Sequence, residues 1–146
     1  MPKVKPLIQA ANEDNHTEVL KLLDAGINPN QTDDDGRTAL IIAAMRKRSI
    51  KIIESLIESG KVDCTQRDNH GKTALMYAAE NGWTEVCSHL MDINSAQEAI
   101  ALARRNHHED TAKEIEQTFS NKLTRAGERR TGIAIVAIFA VITATS

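Results

Sequence analysis

The sequence has few aromatic residues, few cysteines and no secretory signal. Aromatic side chains make up 3% of the 146 residues, which leaves little bulk for a single globular core. Cys64 and Cys87 are too few for a disulfide framework, so we expect the chain in a reducing cytosolic compartment. The length is that of one domain.

The chain also lacks a basic surface in its main part. Its net charge is −2, and from Lys122 onward the only acidic residue is Glu128 against four basic residues. Residues 1–121 therefore carry a charge near −5 by subtraction. Nucleic-acid binding requires a basic face, so we expect no nucleic-acid partner.

Motifs for catalysis and for cofactor binding are missing as well. There is no Gly-rich phosphate loop and no nucleophile elbow. Cys87 and His89 are two residues apart on a predicted helix, so their side chains point to different faces and make a poor metal pair. The acidic run at 33–35 lacks the EF-hand spacing. We predict a non-enzyme with no catalytic residues, no cofactor and no metal site; a Cys–His nucleophile is the alternative, without a third group to orient it.

What the sequence does contain is an internal repeat. Positions 33–44 read Asp-Asp-Asp-Gly-Arg-Thr-Ala-Leu-Ile-Ile-Ala-Ala, and positions 68–79 read Asp-Asn-His-Gly-Lys-Thr-Ala-Leu-Met-Tyr-Ala-Ala. A repeat with a period of 35 residues indicates one supersecondary unit that is copied and stacked. Such arrays usually form binding surfaces and not catalytic clefts.

Several residues of the repeated unit predict a local structure. Gly36 and Gly71 predict turns that favour positive φ. Thr38 and Thr73 predict N-caps of the helices that follow, and Gly60 predicts the end of a second helix. The second helices carry apolar stripes at helical spacing. These stripes are Ile52, Ile53, Leu56 and Ile57 in one copy, and Val86, Cys87, Leu90 and Met91 in the other.

Weaker copies flank the strong pair, at about 7–26 and 99–115. We therefore divide residues 1–119 into four repeats, at about 5–32, 33–65, 66–95 and 96–119. A basic linker at 120–130 and a hydrophobic tail at 131–146 follow.

On these residues the chain resembles the ankyrin repeat family. The family unit reads Asp-x-x-Gly-x-Thr-Pro-Leu-His-x-Ala-Ala, and the stretch Asn-Gly-Trp-Thr-Glu-Val at 81–86 matches the start of its second helix. The resemblance covers about residues 6–119 and implies an all-α solenoid of helix–turn–helix units with short β-hairpin-like loops. Ala39 and Ala74 replace the family proline, and Ile41 and Met76 replace the family histidine, so the usual Thr–His hydrogen bond is absent.

The resemblance also implies a partner and a surface. Ankyrin repeats commonly contact another protein through the loop tips and the concave face of the first helices, and we expect a monomer. Ile42, Met45 and Tyr77 are candidate anchors; the alternative is that Ile42 and Met45 fill gaps between repeats. The predicted partner-binding residues are Asp34, Asp35, Arg37, Ile42, Met45 and Arg46 in the first strong copy, and Asn69, His70, Lys72, Tyr77, Glu80 and Asn81 in the second.

The loop between the helices of the first strong copy is unusually basic. Residues 45–49 read Met-Arg-Lys-Arg-Ser, one residue longer than the family loop, and Lys51 follows. This patch on an acidic body predicts contact with an acidic partner or an anionic membrane surface. The alternative is a solvated loop of ordinary charges.

The hydrophobic tail has no charged residue between 131 and 146 and follows Arg129 and Arg130. This pattern predicts a C-terminal helix that anchors in a membrane with the repeats facing the cytosol. Sixteen helical residues span roughly 24 Å against roughly 30 Å of hydrocarbon, which bilayer thinning and snorkelling accommodate. The alternatives are packing on the last repeat, a β-strand, or the end of a fragment.

The sequence as a whole predicts a non-enzymatic protein–protein interaction module, an ankyrin-type scaffold or adapter tethered by its tail. The alternative is a soluble ankyrin inhibitor or scaffold, or a host-directed bacterial ankyrin protein, with a packed or truncated tail.

Overall fold

A computed structural model describes residues 5–47, 49–90 and 95–127, and eight helices lie in these ranges. In chain order they are α1 (Pro6–Asn12), α2 (His16–Asp24), α3 (Ala39–Met45), α4 (Ile50–Glu58), α5 (Ala74–Glu80), α6 (Thr84–His89), α7 (Ala96–Arg105) and α8 (Glu109–Gly127). No residue in the described ranges belongs to a β-strand. The prediction of an all-α solenoid is confirmed.

The helices pack in two layers. The first helices of the repeats, α1, α3, α5 and α7, stack in one layer, and α2, α4, α6 and α8 stack in the other. Helices α1, α3 and α5 have seven residues each, which is too short for a helix to be stable alone. Each helix therefore depends on its neighbours in the stack.

Small side chains let the stacked helices approach closely. Ala43 and Ala44 on α3 and Ala78 and Ala79 on α5 are fully buried. A larger side chain at any of these positions would push the layers apart, because protein interiors are close-packed. The second layer is filled by branched side chains: Ile52, Ile53, Leu56 and Val86 are fully buried.

The predicted helix ends are present. Thr38 Oγ1 accepts a hydrogen bond from the backbone N–H of Ile41 at 3.2 Å, and Thr73 Oγ1 accepts one from Met76 at 3.3 Å. Gly60 has a φ of +69° just beyond α4. Local sequence signals therefore set where these helices begin and end.

The loop between α3 and α4 spans residues 46–49, whereas the loops between α1 and α2, α5 and α6, and α7 and α8 have one residue fewer. The predicted extra residue is confirmed. Lys47 in this loop has a φ of +49°.

Helix α8 has 19 residues and continues past residue 119 to Gly127. The first part of the predicted linker at 120–130 is therefore helical. The linker and tail boundaries stay predictions, because residues 128–146 lie outside the described ranges.

Candidate protein-binding surface

In the two strong copies, the loop tip is held by the aspartate that begins it. Asp33 Oδ1 accepts hydrogen bonds from the backbone N–H groups of Asp35 and Arg37, both at 2.9 Å. Asp68 Oδ1, in the equivalent position, accepts from the amides two and four residues further on, at 2.9 and 3.0 Å. The tips are therefore ordered before any partner binds.

The two tips are also joined to each other. The backbone N–H of Asn69 donates to the carbonyl of Asp35 at 2.9 Å, and its side-chain amide donates to the carbonyl of Asp34 at 3.2 Å. A Cβ at Gly36, which has a φ of +74°, would lie 2.6 Å from Asn69 Oδ1. Glycine is required at position 36 both for its backbone conformation and for this close approach.

A groove of about 330 Å³ lies between the first repeat and the second. Its apolar floor is formed by Ile8 of α1 and by Ile42 and Met45 of α3. Its full lining is Lys5, Ile8, Gln9, Asn12, Thr32, Asp33, Asp34, Arg37, Ile42, Met45 and Arg46. The groove is large enough for one apolar side chain of a partner together with part of its backbone.

Arg37 closes the tip side of the groove. Its Nε lies 3.0 Å from Asp33 Oδ2, and one of its Nη atoms contacts the carboxylate of Asp35. Both pairs hold the guanidinium on the tip, so Arg37 contributes more to the shape of the rim than to free positive charge.

The second strong copy uses the equivalent positions differently. The ring of Tyr77 takes the place of Ile42, and its hydroxyl donates to Asp68 Oδ2. Lys72 lies 5.1 Å above this ring and pairs with Glu80 at 2.7 Å. Three predicted residues therefore bind one another, and Tyr77 is only 9% exposed.

The pKa of Tyr77 is raised and the pKa of Asp68 is lowered. Burial raises the pKa of Tyr77 above its ordinary value, and the hydrogen bond to Asp68 raises it further. Burial alone would raise the pKa of Asp68, but the hydrogen bonds from Tyr77 and from two backbone amides outweigh it and lower the pKa. The pair is therefore held as a neutral phenol and a carboxylate at neutral pH.

Asn81 connects the second strong copy to the first. Its side-chain amide donates to the carbonyls of Ala44 and Met45, at 3.2 and 3.1 Å. These carbonyls belong to the last turn of α3, and that of Ala44 also accepts a hydrogen bond from the backbone N–H of Lys47 at 3.3 Å. Asn81 therefore fixes the end of the α3 wall of the groove.

The structure distributes the predicted residues over two neighbouring areas. Asp34, Arg37, Ile42, Met45 and Arg46 line the groove. Asp35 lies beside it on the tip. Of the six residues of the second copy, five lie on the next tip and on α5, and Asn81 is the C-cap residue of α5. Whether these residues contact a partner stays a prediction. Sequence reasoning missed the wall formed by Ile8, Gln9 and Asn12 of α1 and by its N-cap residue Lys5. The Ala pairs at 10–11 and 43–44 align α1 with α3 and could have pointed to it.

Comparison with known proteins agrees with this architecture. A family model described as ankyrin repeats in three copies matches residues 7–101, so the chain belongs to the ankyrin repeat family. It is 33% identical over 79 residues to the human Photoreceptor ankyrin repeat protein, covering 52% of this chain and 17% of that protein. It is 39% identical over 74 residues to human Neurogenic locus notch homolog protein 4, covering 51% of this chain and 4% of that protein. The chain thus matches only a small part of each relative.

Three further features bear on the other predictions. Burial raises the pKa of Cys87 to about 12, so this thiol stays protonated at neutral pH and is a poor nucleophile. In the described ranges, no group of three or more His, Cys, Asp or Glu residues could hold a metal ion. None of the helices at 5–47, 49–90 and 95–127 is long and apolar enough to cross a membrane. The predicted anchor at 131–146 lies outside these ranges.

Proposed function

We propose that this chain is a non-enzymatic scaffold or adapter that binds a protein in the groove between its first two repeats. Ankyrin repeats are protein-interaction modules, and this general role follows from the family. The observation that supports the groove is its composition: a half-buried Met45 and two apolar neighbours form a floor, and charged side chains surround it. Contacts of this kind, an apolar centre with a polar rim, are typical of protein interfaces.

Two substitutions test the groove with residues that the other strong copy has at the equivalent positions. Position 45 is occupied by Met in one strong copy and the equivalent position 80 by Glu in the other, while Ile42 is equivalent to Tyr77. Met45→Glu and Ile42→Tyr therefore place residues that this fold already holds at these sites. Met45→Glu puts a charge on the apolar floor, and Ile42→Tyr fills the groove with a ring.

The experiment is affinity capture from cells with the full chain, followed by mass spectrometry. We expect proteins bound by the unchanged chain to be lost with both groove variants and retained with Lys61→Glu, a variant of an exposed residue on the opposite, second-helix side. Circular dichroism should show the same helicity for all chains. Unchanged capture by both groove variants would disprove the groove as the binding surface.

We also propose that residues 131–146 tether the repeats to the cytosolic face of a membrane. This second part is supported by the sequence alone: an uncharged apolar segment follows Arg129 and Arg130. The test is alkaline carbonate extraction of the full chain and of a chain that ends at Gly127, which keeps α8 whole. Only the full chain should stay in the membrane pellet, and Ile135→Asp with Ile138→Asp should release it. Solubility of the full chain would favour the alternative of a free ankyrin scaffold.

A further inference from the structure

We propose, building on the protein-binding role above, that the groove selects a peptide segment with an apolar residue in the middle and acidic residues at one end. The partner's acidic end would lie over the loop between α3 and α4, and a basic or neutral end over the tip of the second repeat.

The floor of the groove demands the apolar residue. Ile42 is 4% exposed and Ile8 is 7% exposed, so both side chains present only their outer methyl groups to the groove. Met45, beside them, is half-buried and has an unbranched, adaptable side chain. An apolar side chain of a partner completes this surface, whereas a charged one would be desolvated there without a counter-charge.

The loop end of the groove carries free positive charge. Arg46 lines the groove, and Lys47 and Lys51 follow it on exposed positions. None of these three has an ion-pair partner among the residues that the structure describes. Unpaired like charges repel one another, so an acidic partner is favoured at this end.

Acidic groups near the loop reduce this field: Asp14 and Glu13 carry two negative charges against the three positive charges of Arg46, Lys47 and Lys51. Asp14, on the loop of the first repeat, accepts a hydrogen bond from the backbone N–H of Ser49 at 2.9 Å. Glu13 accepts one from Gln9 at 2.8 Å. On the other side, Glu80 of the third repeat is already paired with Lys72.

The tip end has the opposite character. Asp33 and Asp35 share the guanidinium of Arg37, which neutralises one of the two charges. Asp34 has no ion-pair partner within the described ranges, so the tip keeps a net negative charge. Lys5, the N-cap residue of α1, is the one cation at the tip end of the groove without an ion pair in the described part of the chain.

The length of α3 sets the spacing of the partner's residues. From its N-cap Thr38 to its C-cap Arg46 the helix rises roughly 12 Å, at about 1.5 Å per residue. An extended peptide covers this distance in about four residues. The expected segment therefore has its apolar residue one or two positions away from the acidic residues.

The test is selection of a displayed random 12-residue peptide library on the full chain, with counter-selection on Met45→Glu. We expect the retained peptides to be enriched in an apolar residue next to Asp or Glu. Arg46→Glu should weaken a synthetic selected peptide about tenfold in fluorescence polarisation, and Arg46→Gln about threefold, because reversal adds a repulsion to the lost attraction. Glu58→Arg, on α4 away from the groove, should leave the affinity unchanged.

Other results distinguish a failure of the proposed peptide specificity from a failure of the protein-binding role. Peptides that depend on Met45 but show no acidic enrichment, or do not respond to Arg46→Glu, overturn this inference and leave the protein-binding role intact. Failure to select any peptide that depends on Met45 overturns both. Binding that appears only in the chain ending at Gly127 means that the tail fills the groove. Binding to phosphatidylserine vesicles that Arg46→Glu abolishes, without peptide selection, assigns the basic loop to a membrane.

Discussion

Tyr77 donates a hydrogen bond from its hydroxyl to Asp68, the aspartate that orders the tip of the same repeat. In the preceding repeat the equivalent aspartate, Asp33, receives this second hydrogen bond from Arg37 Nε at 3.0 Å. The equivalent carboxylates of the two repeats thus accept from different donors, Arg37 in one repeat and Tyr77 in the other. The exchange explains why the second copy buries the ring that the sequence favoured as a partner contact.

Tyr77→Phe should lower the free energy of unfolding by about 2 kcal/mol, because it removes a buried hydrogen bond to a charged group. Urea unfolding followed by circular dichroism measures this. A double-mutant cycle with Asp68→Asn isolates the pair: the two changes together should cost less than the sum of the single changes. Additive effects would mean that the hydroxyl and the carboxylate are not coupled.

The same pair predicts a pH dependence. The lowered pKa of Asp68 stabilises the folded chain above about pH 4, and this contribution is lost as the pH falls through the folded-state pKa. The raised pKa of Tyr77 stabilises it below about pH 10, and this contribution is lost as the pH rises further. The stability difference between the unchanged chain and Tyr77→Phe should therefore be constant near neutral pH and shrink at about pH 3 and above about pH 10. The same stability difference at neutral pH, at about pH 3 and above about pH 10 would contradict the pKa shifts of Asp68 and Tyr77.

Gly36→Ala and Gly71→Ala form a matched comparison. Both glycines have φ values near +73°, but a Cβ at Gly71 meets nothing within 4 Å, whereas a Cβ at Gly36 meets Asn69. We expect Gly71→Ala to cost about 1 kcal/mol from backbone strain alone. Gly36→Ala should cost about 1–2 kcal/mol more, because the tip of the next repeat must move.

Thermal or urea unfolding measures the loss of stability in Gly36→Ala and in Gly71→Ala. Equal losses would mean that the contact between tips relaxes at no cost, and that the tips do not depend on one another.

The sequence was sufficient for features that depend on neighbours along the chain. The caps at Thr38 and Thr73 and the turn at Gly36 need only a few residues of context, and the 35-residue period locates them twice. The extra residue in the loop after Met45 was visible for the same reason.

The groove could not be predicted as fully, because it depends on contacts between repeats. Ile8 and Asn12 come from the first repeat. The Ala pairs align this repeat with α3, but that alignment does not show which side chains of α1 face α3 across the groove. The length of α8 was missed because the charged sequence after Phe119 resembles a linker, yet no helix-breaking residue occurs before Gly127.

The most direct test of the central claim is site-specific photo-crosslinking in cells. A benzoylphenylalanine residue placed at position 46, on the rim of the groove, should crosslink to a partner protein. The same residue at position 58, exposed at the end of α4, should not crosslink to that protein. Crosslinks from both positions, or from position 58 alone, would contradict the assignment of the groove as the binding surface.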